Sequence, residues 1–194
     1  MTASAATNCA AFDGGRLIAA GPLKDVALAV KAALVAGAAG PVLTFGDADG
    51  AVIDLDLRGS DAEIVARLGA NESEAPPPRG RGRPRLGVVA REVTLLPRHW
   101  DWLAAQPGGA SVALRRLVEQ ARRSDGGATE TNQAKAAAFR FLSATAGNLP
   151  GFEEALRALF AGDRANFAER ASPWPPDVRD YAMRLAFGSR QETT

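Results

Sequence analysis

Val42-Leu43-Thr44-Phe45-Gly46-Asp47-Ala48-Asp49-Gly50-Ala51-Val52-Ile53-Asp54-Leu55-Asp56-Leu57 is the stretch on which the fold class turns. Two strand-like runs, Val42 to Phe45 and Val52 to Leu57, flank Gly46 to Gly50, a sequence that reverses the chain as a hairpin. In the second run Ile53, Leu55 and Leu57 alternate with Asp54, Asp56 and Arg58, so one face is expected buried and the other wet. Upstream, Val26, Ala29, Val30, Ala33 and Leu34 recur at helical spacing within Asp25 to Val35, and Gly37 supplies a stop. A short apolar run, Arg16 to Ala20, precedes that helix and ends at Gly21-Pro22. Downstream, Ser60 and Glu63 form a capping-box pattern for a helix reaching Leu68. Residues 10–70 therefore read as a small βαββα unit.

The composition changes after this unit. From Asn71 to Arg85 the chain is Pro, Gly, Glu and Arg without apolar pattern, and Pro76-Pro77-Pro78 favours a solvated, extended backbone, which makes 71–87 a linker. Val88 to Leu96 then reads as a strand, Pro97 to Gln106 as a helix with proline in its first turn, and Ser111 to Arg123 as a second helix capped by Ser111. The remainder is helical: Asn132 to Ala146, Gly151 to Ala161, Arg164 to Ala171 and Asp177 to Phe187. Phe139, Leu142, Phe152, Leu156, Leu159, Phe160, Val178, Tyr181 and Leu185 are expected on the buried faces. The class is α+β, with an N-terminal unit (10–70), a basic linker (71–87), a strand-helix-helix module (88–124) and a C-terminal helical bundle (131–188). Trp100 with Leu103 is expected in a core, Trp174 as a staple before the last helix, and Trp102 at an interface.

Among 194 residues, 46% hydrophobic and 23% charged are ordinary values for a folded protein. The single cysteine, Cys9, forms no internal disulfide, no apolar run spans a bilayer, and the first residues lack a signal-peptide pattern, so a cytoplasmic protein without a membrane partner is expected. The formal net charge of +1 hides an uneven distribution. Between 79 and 123 there are ten arginines, opposed by Glu92, Asp101 and Glu119 alone, a local balance of +7. That clustering is what a polyanion-binding element shows.

Arg81-Gly82-Arg83-Pro84, flanked by Arg79 and Arg85, resembles an AT-hook. In such hooks an extended Arg-Gly-Arg enters the narrow minor groove of A·T-rich DNA, glycine allowing close approach and proline holding the chain extended. The competing reading is a solvated tether. The following strand-helix-helix order, with Val93-Thr94-Leu95-Leu96-Pro97-Arg98 and Ser111-Val112 leading into Leu114-Arg115-Arg116-Leu117-Val118, resembles a ribbon-helix-helix module. The resemblance implies a homodimer whose paired strands lie in the major groove, with Thr94 as base reader and the second helix's start on a phosphate. Together these readings select Arg79, Arg81, Gly82, Arg83, Pro84, Arg85, Arg91, Thr94, Arg98, Ser111, Arg115 and Arg116 as DNA-binding residues. Gly82 to Leu103, Leu149-Pro150-Gly151-Phe152-Glu153-Glu154-Ala155 and Trp174-Pro175-Pro176-Asp177-Val178-Arg179 resemble an uncharacterised bacterial family, domain of unknown function 2239. That resemblance implies no activity.

Enzyme chemistry finds little support. His99 is the only histidine, Asp101 two positions on faces elsewhere on a helix, and no serine or cysteine sits in a nucleophile motif. Asp47-Ala48-Asp49-Gly50 opens like a calcium loop, but its fifth and twelfth positions are Ala51 and Arg58, so a hairpin turn explains it better. Asp54 and Asp56 read as a solvated strand face rather than a metal pair. Neither a P-loop nor a dinucleotide fingerprint is present. The expectation is a non-enzymatic DNA-binding protein of regulator or nucleoid-associated type, without cofactor or metal. The alternative is an interaction or adaptor protein in which the basic linker is a tether.

Overall fold

A computed structural model of the chain describes residues 7–70 and 91–188. Two compact units emerge, Met1–Ala75 with Glu130–Thr194, and Pro76–Thr129. The first contains β1 (Asn8–Asp13), β2 (Arg16–Pro22), α1 (Leu23–Val35), β3 (Val42–Gly46) and α2 (Asp61–Ala70). The second contains α3 (Pro97–Ala104) and α4 (Gly109–Ser124). The chain then continues through α5 (Ala128–Thr145), α6 (Phe152–Ala161), α7 (Arg164–Arg170) and α8 (Pro176–Phe187).

The first unit is organised by β1, the centre of an antiparallel sheet of order β2-β1-β3. Successive side chains of a strand point to opposite faces, so β1 feeds two cores. Cys9 and Ala11 pack with Leu23, Val26 and Val30 of α1. Ala10 and Phe12 pack with Phe45 of β3 and with Phe141, Leu142, Leu159, Val178 and Tyr181 of the C-terminal helices. A strand buried on both faces reads as an unbroken apolar run, and Cys9-Ala10-Ala11-Phe12 is one. Its alanines carry little strand propensity, which is why the sequence pattern passes over it.

Three expectations are corrected here. The N-terminal order is ββαβα rather than βαββα, because β1 precedes the run at Arg16. Val52 to Leu57 keeps its alternation, with Ile53, Leu55 and Leu57 packed towards α1, but forms no strand beyond an isolated bridge between Phe45 and Val52. One inward face suffices to bury those side chains without a continuous ladder. The segments 10–70 and 131–188 are not separate domains: a single aromatic cluster joins Phe12, Phe45, Phe141 and Tyr181, with ring centroids 4.6–6.1 Å apart.

Local signals fare better. Ser60 and Glu63 cap α2 reciprocally, the Ser60 N–H donating to Glu63 Oε2 at 2.7 Å. Asp163 caps α7 by accepting the Asn166 N–H at 3.0 Å. Trp174 is buried against Phe152 and Phe167, its indole N–H donating to the Pro150 carbonyl at 2.8 Å, so it does staple the start of α8. Phe139 and Phe160, expected in the core, instead stack on each other while both stay substantially exposed.

Asp13, at the end of β1, holds the loop before β3. Its carboxylate accepts the Gly40 N–H at 2.6 Å and the Ala39 N–H at 3.2 Å, with Arg16 at 3.3 Å. Those two backbone donors, helped by Arg16, keep its pKa below the ordinary 3.8. A carboxylate with a lowered folded pKa stabilises the fold above its unfolded value, and that contribution is lost as pH falls through the folded value. Asp13→Asn is therefore expected to be less stable than the parent at neutral pH and to converge with it in acid below 3.8, measured by urea unfolding across pH. Equal differences at every pH would remove Asp13 from the acid response.

Candidate nucleic-acid interface

The second unit is a pair of helices joined by a short turn, Ala105 to Gly108, with Leu103 of α3 and Ala113 of α4 as its buried residues among those described. Pro97 begins α3, where its missing N–H costs nothing. The turn closes on Gly108 and Gly109, both with positive φ of 80° and 73°, a conformation that favours glycine. That geometry starts α4 two residues earlier than the sequence pattern indicates. Gly108 is the N-cap, no side chain caps the helix, and Ser111 lies inside the first turn, its carbonyl accepting from Arg115 Nε at 3.1 Å. Ser111 is thus not the cap.

On α4, Arg115, Arg116, Glu119, Arg122 and Arg123 fall at i, i+1, i+4, i+7 and i+8, which gathers them on one face. All five are exposed. Glu119 meets Arg122 at 3.5 Å and Arg123 at 3.4 Å, solvent-exposed pairs of little energetic weight, so the face keeps a balance of three positive charges. Arg122 and Arg123 were not selected with Arg115 and Arg116 from sequence. Their seven-residue offset is the signal that adds them.

The other selected residues are placed as follows. Arg98 is exposed on α3, and Arg91 and Thr94 are exposed in the segment leading to it. Residues 91–96 carry no strand, which corrects the expected strand at Val88 to Leu96 over its described part; 88–90 lie outside the described residues. A ribbon strand needs a partner strand, and a single chain supplies none here. Arg79, Arg81, Gly82, Arg83, Pro84 and Arg85 also lie outside the described residues. Trp100, expected in a core, is 41% exposed, and Trp102 is 51% exposed.

Burial, with Asp47 nearby, pushes the Cys9 thiol up to about 11, so it stays protonated. A cleft of about 240 Å³ is lined by Leu17, Ala20, Asp177, Asp180, Tyr181 and Arg184. Its polar groups are engaged: the Leu17 N–H donates to Asp177 at 2.8 Å, Asp180 pairs with Arg179 at 2.9 Å, and Arg184 pairs with Asp47 at 3.4 Å. Tyr181 O–H donates to Asp47 at 2.8 Å, and burial raises its pKa further above the ordinary phenol value. Asp49, whose carboxylate accepts the Ala51 N–H at 3.0 Å, completes the turn that superficially opens like a calcium loop. Asp56 is engaged by Arg58 at 2.7 Å and Arg67 at 3.4 Å, and Arg58 above all holds it far below the usual carboxylate range. Among the described residues no group of three or more His, Cys, Asp or Glu is placed to hold a metal ion. Among them, too, no helix is long and apolar enough to cross a membrane.

No curated protein and no solved structure matches the chain. A family model does, over residues 8–186, which spans the β1 strand, both helical units and nearly all of α8. The chain accordingly belongs to the family described as an uncharacterized protein conserved in bacteria, DUF2239.

Proposed function

We propose that the chain is a non-enzymatic, cytoplasmic DNA-binding protein of regulator or nucleoid-associated type. The observation that carries this reading is the exposed face of α4, where Arg115, Arg116, Arg122 and Arg123 surround Glu119. Four guanidiniums along two turns suit a phosphate backbone, whose charges they neutralise with release of counterions. The uncapped start of α4 adds backbone N–H groups of the kind that bind anions. Arg81-Gly82-Arg83-Pro84, fewer than twenty residues before α3, would supply the A·T preference through the minor groove. Base readout through Thr94 is secondary in this reading, because phosphate contacts set affinity and position rather than sequence.

Fluorescence-anisotropy titrations of A·T-rich and G·C-rich duplexes at several salt concentrations test it. Log affinity is expected to fall with log salt at a slope of about −0.9 per phosphate neutralised. Arg115→Ala/Arg116→Ala/Arg122→Ala/Arg123→Ala should flatten that slope by about 3, while Arg81→Ala/Arg83→Ala should erase the preference for A·T. Absence of binding to either duplex at low salt would reject the proposal in favour of an interaction or adaptor protein.

A further inference from the structure

Among the described residues of the second unit, nothing covers the full length of the apolar side of α4. With 8 residues against 16, α3 extends about 12 Å along a helix of about 24 Å. Leu103 and Ala113 are buried, but the apolar stripe of α4 continues beyond them through Leu114, Leu117, Val118 and Ala121, at i, i+3, i+4 and i+7. Leu117 and Val118 are 39% and 57% exposed. On α3, Trp100 shares a face with Leu103 and is uncovered, as is Leu96 at the N-cap just before the helix. This surface is apolar, whereas the arginine face of α4 lies on the helix's other side, so a nucleic acid is not the ligand that fits it.

We infer that a second copy of the chain covers this surface, making the α3–α4 unit a self-association module. At 54 residues, Pro76–Thr129 is of a size at which a single chain is marginal on its own, and small units commonly gain stability from a disulfide, a metal or oligomerisation. The only cysteine in the chain is Cys9, in the other unit, and the described residues offer no metal cluster. Leu96, Trp100, Leu117 and Val118, exposed by 49%, 41%, 39% and 57%, leave about 350 Å² of apolar area uncovered. At the roughly 65% apolar share of homodimer interfaces, two copies would bury about 1,000 Å², where specific interfaces begin. An isologous pairing also keeps both arginine faces on the outside.

Sedimentation of the full chain without DNA tests the inference. The parent is expected at twice 20.2 kDa, dissociating on dilution, and Leu117→Glu/Val118→Glu is expected at 20.2 kDa. Hydrogen exchange on the parent itself, across the same dilution series, guards against a variant that merely unfolds: protection of Leu114 to Ala121 should rise with the dimer fraction. A parent that sediments at 20.2 kDa at every concentration overturns the inference, whether the stripe is then covered by another partner or within the chain. So does a dimer that survives the substitutions, or one whose protection gains fall outside α4. No nucleic acid enters either readout, so failure of DNA binding and failure of self-association are separately visible.

Discussion

Phe141→Ala is expected to lower the unfolding free energy by about 3–5 kcal/mol, and Phe12→Ala by a similar amount. Both side chains are fully buried, and their rings stand 5.1 Å apart at the meeting of β1 and α5. Each also touches Phe45 and Tyr181, so truncation leaves a cavity walled by aromatic rings that cannot collapse without moving the sheet or a helix. The pair should be less than additive, since the second truncation enlarges a cavity already open. Guanidinium unfolding followed by far-ultraviolet circular dichroism and by the fluorescence of buried Trp174 measures all three variants. Phe12 lies in the N-terminal strand and Trp174 in the turn between α7 and α8, both in the same core, so one shared transition is expected. A Phe12→Ala variant that left the Trp174 signal at the parent midpoint would contradict the single core.

Gly50→Ala should rank with these, at about 3 kcal/mol or more. Gly50 closes the turn between β3 and the following segment with φ of 66°, where any Cβ is strained. A Cβ at that position would also fall on the carbonyl of Ala137 in α5, a backbone group with no rotamer to change. The same loop is tied to α5 by Arg140, which donates to the Asp49 carbonyl at 2.9 Å. Gly37→Ala is the control: its φ is 82° but open space surrounds it, so only the conformational cost of about 1–2 kcal/mol applies. Thermal unfolding of the two variants separates strain from collision. Equal losses would mean that the turn does not approach α5 as closely as the structure places it.

Legibility followed the range of the interaction. The capping box at Ser60 and Glu63 and the proline start of α3 are decided by neighbours within four residues, and they read directly from sequence. The alternation of Ile53, Leu55 and Leu57 with Asp54, Asp56 and Arg58 likewise predicted which side chains turn inward. It did not reveal whether a ladder forms, because a ladder depends on a partner backbone that alternation does not specify. For the candidate interface, arginine clustering was plain in the composition. Which arginines share a face follows from their spacing along α4, whereas its start is decided by the turn, which moves the cap three residues, from Ser111 to Gly108.

What the sequence determined by itself is therefore the α+β class, the capping box of α2, the proline start of α3, and the concentration of positive charge between 79 and 123. The tertiary structure alone decided that Cys9 to Phe12 is the central strand, that its two faces serve two cores, and that the C-terminal helices complete the N-terminal sheet. The physical reason is that burial is a property of pairs distant along the chain. Phe12 and Phe141 meet across more than a hundred residues, and no local propensity of either records the other.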